Sequence, residues 1–140
     1  MTAWRAWRHV TFSNAERARM TSRLLTPNEL AAIDWILVAR APELPRLRAQ
    51  TATLRALPDE VRVCDLTLAT TGDPEGAAPD GPMRGPLVVD VSGDATGHID
   101  LWVKAGLLSY LEYSWFVEMP TEYPSPDRLR PWPSSDIAER

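Results

Sequence analysis

One stretch of the chain reads HIDLWVKAGLLSYLEYSWF, and its apolar and polar residues alternate on both sides of a single glycine. Alternation with a period of two is the pattern of a β-strand whose two faces meet different surroundings. Lys104, Ala105 and Gly106 fit a three-residue hairpin loop with glycine in the left-handed position. The stretch therefore predicts an antiparallel hairpin of two strands, at about 97–104 and 107–117.

The length of this loop also predicts which residues of the hairpin face each other. Three loop residues place Val103 opposite Leu107 and His98 opposite Glu112, and a shift of one residue would exchange the two faces. One predicted face is apolar apart from Ser109, and contains Ile99, Leu101, Val103, Leu107, Leu111, Tyr113, Trp115 and Val117. The other face is more polar, and contains His98, Asp100, Trp102, Leu108, Tyr110, Glu112 and Ser114.

The start of a helix is encoded in the segment TPNELAAIDWILVARAP. Thr26 is an N-cap residue, Pro27 occupies the first helical position, and Glu29 completes a capping box three residues after the cap. An apolar stripe at helical spacing follows. Pro42 ends the segment because the residue before a proline avoids helical dihedrals. We predict one main helix over 27–40.

Three further strands are predicted at about 51–57, 61–69 and 86–91, each bounded by turn-forming residues. The stretch 70–86 holds four of the seven glycines and four of the thirteen prolines, and is predicted to be a long mobile loop. Together these elements predict an α+β fold with two layers. The main helix packs on a meandering antiparallel sheet of about five strands.

The 140 residues favour a single folded unit with two appended segments. Residues 1–25 are basic, contain two Trp-Arg pairs, and are interpreted as an N-terminal extension. Residues 26–118 form the predicted α+β domain. Residues 119–140 are rich in proline and are predicted to form a C-terminal strap, with three apolar residues lying on the domain: Tyr123, Leu129 and Trp132.

Charge is distributed unevenly along the chain. Residues 1–50 carry eight arginines and four acidic residues, whereas residues 51–140 carry six arginines, one lysine and fifteen acidic residues. An acidic body disfavours nucleic acid as a partner, because phosphate binding requires a clustered positive surface. A basic protein partner is compatible with it. We also find no secretory signal and no apolar run of membrane-spanning length, so no membrane association is predicted. Cys64 has no partner for an internal disulfide, which favours a cytoplasmic protein.

Few residues offer catalytic or metal-binding chemistry. The chain has two histidines and one cysteine, which is too few for a zinc or iron–sulfur site, and no phosphate-binding or nucleophile motif is present. We therefore predict no cofactor and no metal. Cys64 is interpreted as a small buried apolar residue. His98 and Glu112 form the one His–carboxylate couple that the predicted hairpin brings together, and they are the candidate catalytic residues for acid–base chemistry.

A binding role is the leading hypothesis. On the more polar face of the hairpin, Trp102, Leu108 and Tyr110 are predicted to form an exposed apolar patch, which commonly marks a binding surface. The hypothesis is a non-enzymatic protein-binding module whose partner is another protein or a second copy of the chain. Two alternatives stay open: a small enzyme that uses His98 and Glu112, and a small-ligand-binding protein with an aromatic pocket lined by Trp102, Tyr110 or Trp115.

Four segments carry a family resemblance: LLTPNELAAIDWIL near the start, LRAQ at 47–50, GLLSYLEYSW at 106–115 and PSPDRL at 124–129. In this order they resemble a family of small uncharacterised actinobacterial proteins. The resemblance implies an α+β domain and, because some members are similar to immunity proteins of toxin systems, a protein-binding role of the immunity type. Family members usually carry a glycine shortly before the LRAQ segment, where this chain has Pro42 and Pro45.

Overall fold

The computed structural model describes residues 22–57 and 64–133, which form helices on one side of a six-stranded sheet. The helices are α1 (Pro27–Arg40), α2 (Pro45–Ala49) and two short 3₁₀ helices, Gln50–Thr53 and Pro126–Arg128. The strands are β1 (Arg55–Leu57), β2 (Leu66–Ala69), β3 (Gly81–Val89), β4 (Ala95–Lys104), β5 (Leu107–Trp115) and β6 (Leu129–Arg130). Their order in the sheet is β1-β2-β5-β4-β3-β6, and all neighbours are antiparallel. The predicted two-layer α+β fold is confirmed, with six described strands in place of about five.

Helix α1 has the bounds that the sequence predicts. The Thr26 hydroxyl accepts a hydrogen bond from the Glu29 N–H, and the Glu29 carboxylate accepts one from the Thr26 N–H, which completes the capping box. The buried face of the helix packs on the sheet and consists of Ala32, Ile33, Ile36 and Leu37, each at most 2% exposed. On the sheet, Ile99, Leu101, Val103, Leu108, Leu111 and Tyr113 belong to the same core.

Strand β3 is longer than predicted, because it begins at Gly81 inside the segment that the sequence predicts to be a loop. Pro82 pairs with Trp102, and the register shifts between Arg84 and Leu87, where Pro86 lies. Prolines lack an N–H group and are tolerated on edge strands and at bulges. A strand is predicted over 51–57, but only its second half, Arg55–Leu57, is a strand, because the 3₁₀ helix Gln50–Thr53 occupies the first half. Strand β2 begins later than predicted, and 61–63 fall outside the described residues.

The β4–β5 hairpin differs from the prediction in its register. Its loop has two residues, Ala105 and Gly106, both with positive φ, so Lys104 pairs with Leu107 and Val103 with Leu108. A bulge follows, and from there Trp102 pairs with Tyr110, Asp100 with Glu112, and His98 with Ser114. The bulge lets Leu108 and Leu111, three residues apart, both enter the core beneath α1. Pattern alone could not reveal this extra residue.

The tip of the hairpin is held by Gln50, a buried residue of the first 3₁₀ helix. Its side-chain N–H groups donate to the carbonyl oxygens of Asp73 (2.9 Å) and Gly106 (2.8 Å), and its Oε1 accepts from the N–H of Leu108 (2.9 Å). The Glu75 N–H also donates to the Gly106 carbonyl oxygen. The segment between β2 and β3 is therefore bonded to the hairpin tip.

The C-terminal segment crosses the domain and contacts it through Tyr123, Leu129 and Trp132, among other residues. The Tyr123 hydroxyl donates to the carbonyl oxygen of Cys64, Leu129 is buried in the core, and Trp132 Nε1 donates to the Gly85 carbonyl oxygen at 2.9 Å. At the other end, the N–H and carbonyl groups of Arg23 pair with those of Ala56. The N-terminal Trp-Arg pairs lie outside the described residues.

Candidate functional site

The sheet face opposite α1 carries the polar side chains of the central strands. It contains Arg84 of β3, His98, Asp100 and Trp102 of β4, and Tyr110, Glu112 and Ser114 of β5, and we call it the polar face. Arg84, Asp100 and Glu112 are in register across three adjacent strands. This arrangement follows from strand alternation, because the neighbouring residues Ile99, Leu101, Leu111 and Tyr113 point to the core.

His98 contacts a carboxylate on this face, although not the predicted one. His98 Nδ1 lies 3.5 Å from Asp100 Oδ2, and the two side chains are 21% and 17% exposed. The imidazole lies between two aromatic rings, with centroid distances of 5.9 Å to Phe116 and 5.7 Å to Trp132. At this distance Asp100 contacts the imidazole without a hydrogen bond to Nδ1, so the pair shows contact but no assembled acid–base couple.

The prediction that His98 and Glu112 face each other as a couple is wrong. The two residues share a face, but the bulge shifts their pairing, so Glu112 lies opposite Asp100 and His98 opposite Ser114. Glu112 Oε1 accepts a hydrogen bond from Trp102 Nε1 at 3.2 Å. The enzyme hypothesis as formulated from the sequence therefore loses its acid–base couple.

The prediction that Trp102, Leu108 and Tyr110 form an exposed apolar patch is also wrong. Leu108 and Tyr110 are each 1% exposed, and Trp102 is partly buried. Leu108 belongs to the core face because of the bulge, while Tyr110 lies between Trp102 of β4 and Thr67 of β2. Trp115 projects to the face opposite Trp102 and Tyr110, so the three residues predicted for an aromatic pocket do not line one pocket.

Four of the seven large apolar side chains that are exposed among the described residues lie in one segment at the end of the hairpin, and the other three are Leu24, Val38 and Val91. Trp115 (39% exposed), Phe116 (50%), Val117 (86%) and Met119 (49%) lie in one short segment that we call the 115–119 patch. Phe116 contacts His98 on the polar face, whereas Trp115 lies on the opposite face, so the patch wraps the edge of the sheet. The Phe116 N–H donates to the Thr96 carbonyl oxygen, which fixes the start of this segment beside β4. A usable signal existed, because the apolar run WFV breaks the alternation of β5.

Acidic residues surround this end of the sheet. Asp90 and Asp94 belong to the turn before β4, Glu118 and Glu122 follow β5, and Arg128 lines the same surface groove as Asp90 and Glu122. Glu118 lies within the patch itself. This end of the sheet therefore combines exposed apolar side chains with four carboxylates, Asp90, Asp94, Glu118 and Glu122, and one nearby guanidinium group.

Comparisons with protein-family models, curated proteins and solved structures gave no match to this chain. The fold and surface define its class: an α+β domain with one helical layer on an antiparallel sheet. Within the described residues, no group of three or more His, Cys, Asp or Glu side chains could hold a metal ion. No helix in that part of the chain is long and apolar enough to cross a membrane.

Proposed function

We propose that this protein is a non-enzymatic protein-binding module, of the immunity type or regulatory, that binds its partner through the 115–119 patch. The observation that carries the proposal is the exposure of Trp115, Phe116, Val117 and Met119 in one short segment. A concentration of exposed apolar side chains at one edge of a domain is a common feature of interaction surfaces. Aromatic residues and methionine are also enriched at the centres of protein interfaces.

The charge around the 115–119 patch indicates which kind of partner surface it would attract. An acidic surround attracts a protein surface that combines basic residues with an apolar anchor, and this attraction accelerates association. A symmetric dimer through the same patch is disfavoured, because a two-fold interface would bring Glu118 and its acidic surroundings against their own copies. We therefore propose a basic protein as the partner in preference to a second copy.

Polar residues in the motifs of the family resemblance hold the fold, which is compatible with a non-enzymatic module. Glu29 caps α1 and pairs with Arg23, and Gln50 clamps the hairpin tip. Ser125 donates to Asp127 within its own turn. A module that neutralises a basic toxin fits both the resemblance and the acidic surface. We further propose a cytoplasmic location, because the one cysteine, Cys64, is buried and forms no disulfide.

A photo-crosslinking amino acid placed at position 117 tests the proposal in cells that produce the full chain. Val117 is 86% exposed, so the replacement leaves the core intact. Val38, exposed to 65% on α1, is the matched control position. We expect an adduct at position 117 with a protein rich in lysine and arginine, and none at position 38.

Binding of the purified partner then completes the test. We expect Val117→Asp to weaken binding by about tenfold or more, as for a residue central to an interface, and Val38→Asp to leave it unchanged. Added salt should also slow association. An adduct only with a second copy, an acidic partner, or equal effects of V117D and V38D would overturn the proposal.

A further inference from the structure

We propose that a groove between the end of α1 and strand β3 binds a small organic oxyanion, a carboxylate or phosphate that carries an apolar group. The groove has a volume of about 440 Å³ and is lined by Arg40, Pro82, Met83, Arg84 and Asp100. This volume lies within the range of about 300–1,000 Å³ that small-molecule sites occupy. The proposal concerns a different surface from the 115–119 patch and does not depend on partner binding.

Arg84 is the first observation that points to an anion. Its guanidinium stacks on the ring of Trp132, with 4.2 Å between Cζ and the ring centroid. Its Nη1 atom is buried, and the described residues place no hydrogen-bond acceptor on it. A buried donor without an acceptor costs about 1–3 kcal/mol, and more when it is charged. Because Nη1 itself is closed to solvent, an oxyanion in the groove would bond to it only after a small rotation of the guanidinium, and this bond would then offset that cost.

Arg40 places a second guanidinium at the same groove. It is the last residue of α1, and its Nε donates to the Arg84 carbonyl oxygen at 2.9 Å. This bond fixes the side chain along β3. In the described part of the chain, Arg40 makes no ion pair with an acidic residue, so its remaining N–H groups are available to a ligand. Arginine forks match the geometry of carboxylate and phosphate oxygens.

Asp100, the one acidic residue of the groove, is engaged elsewhere. Its Oδ1 accepts from the Gly85 N–H at 3.3 Å, and its Oδ2 lies 3.5 Å from His98 Nδ1. The described residues contain no ion pair between Asp100 and Arg40 or Arg84. The Asp100 oxygens therefore lie more than 4 Å from the guanidinium nitrogens of both arginines. Two cations therefore face one engaged carboxylate, and Pro82 and Met83 supply apolar walls for the organic part of the ligand.

The groove is unsuited to an added peptide strand, although it follows the outer edge of β3. Strand β6 pairs with β3 only at Leu87 and Val88. Beyond them, the Arg84 carbonyl oxygen accepts from Arg40 and the Gly85 carbonyl oxygen accepts from Trp132. Pro82 has no N–H to donate. The main-chain groups that strand addition requires are thus occupied or missing, which leaves the side-chain guanidinium groups as the binding elements.

Titration of the full chain with two probes tests the proposal: hexanoate for a carboxylate source and inorganic phosphate for a phosphate source, each at constant ionic strength set by chloride. Nuclear magnetic resonance reports the Nε–H signals of Arg40 and Arg84. We expect saturable shifts of both signals with one or both probes, and the probe that saturates identifies the oxyanion class.

Variants locate the site. Arg40→Gln changes an exposed residue at a helix end, so it should fold, and we expect at least tenfold weaker binding. Arg84→Lys keeps the positive charge but loses the planar guanidinium that can donate two parallel hydrogen bonds, and should weaken binding similarly. Arg46→Gln, an exposed arginine on α2, is the control and should bind as the unaltered chain does. Shifts no larger than those with chloride, or equal losses in R46Q and R40Q, would overturn the proposal.

Discussion

Glu29 shows how a single buried carboxylate connects the start of α1 to the preceding chain. Its two oxygens each accept a hydrogen bond of 2.9 Å from the Arg23 guanidinium, and Oε1 also accepts one from the Thr26 N–H. Burial by itself raises the pKa of Glu29, but the bonds from Arg23 and Thr26 outweigh it, and the net pKa is lowered from its ordinary value. The charged form is therefore favoured in the folded protein.

We predict that Glu29→Gln lowers the free energy of unfolding at pH 7 by about 1–3 kcal/mol, because it removes the charge and the paired bonds with Arg23, while the glutamine oxygen can still accept from the Thr26 N–H. The folded pKa lies below the unfolded one, about 4.3, so this contribution is present above that pH and is lost as pH falls through the folded pKa. Urea unfolding at pH 7, 5 and 3 measures it. The variant should lose less stability between pH 5 and 3 than the original chain.

Asp34→Asn is the control for this prediction, since Asp34 is exposed on the same helix. It should change stability by less than about 0.5 kcal/mol. An acid dependence of E29Q identical to that of the original chain would contradict the assigned role of Glu29.

Among the elements, the β4–β5 hairpin combines a turn that pattern predicts with a register that it does not. Ala105 has φ 53° and Gly106 has φ 76°, so both turn residues occupy the left-handed region. Alanine pays a steric cost there that glycine avoids. A Cβ added to Gly106 would lie 2.7 Å from the Glu75 carbonyl oxygen. The two positions should therefore respond to substitution with opposite signs.

We predict that Ala105→Gly raises the free energy of unfolding by up to about 1 kcal/mol, because relief of the left-handed strain exceeds the entropy that glycine adds to the unfolded chain. Gly106→Ala should lower it by more than about 1 kcal/mol, because backbone strain and the contact with Glu75 both oppose a Cβ. Thermal and urea unfolding of the two variants measure both changes in the free energy of unfolding. Changes of the same sign would show that the turn has another conformation in solution.

In the molecule as a whole, the C-terminal strap closes the end of the core through Tyr123. Its hydroxyl donates to the Cys64 carbonyl oxygen, and its ring packs on Tyr113 with 5.2 Å between centroids. Burial raises the pKa of Tyr123 well above its ordinary value, and the nearby Asp65 adds to the shift. The phenol is thus kept neutral in the folded chain.

We predict that Tyr123→Phe lowers the free energy of unfolding at pH 7 by about 1–2 kcal/mol through loss of this hydrogen bond. Above pH 10 or so the unfolded chain releases the Tyr123 proton before the folded chain does, so stability falls as pH rises. The variant should therefore show a shallower alkaline decline. Thr121→Ala, exposed on the same strap, should retain the full decline, and an equally steep decline in Y123F would refute the role of Tyr123.

The sequence by itself determined the parts of this protein that depend on near neighbours. Capping chemistry at Thr26, Pro27 and Glu29 specifies where α1 begins, and alternation specifies two strands joined at Gly106, because both signals act within a few residues. The two-layer α+β fold follows, since an apolar helix stripe and a one-sided sheet must bury each other.

Only the tertiary structure decided the register and the binding surfaces. The bulge beside Ser109 places both Leu108 and Leu111 in the core, an arrangement that no local pattern encodes. Gln50 reaches Gly106 across 56 residues, and Arg40 reaches Arg84 across 44. The partner of His98, the burial of Tyr110 and the arginine groove all depend on such distant contacts, and their geometry exists only once the chain has packed.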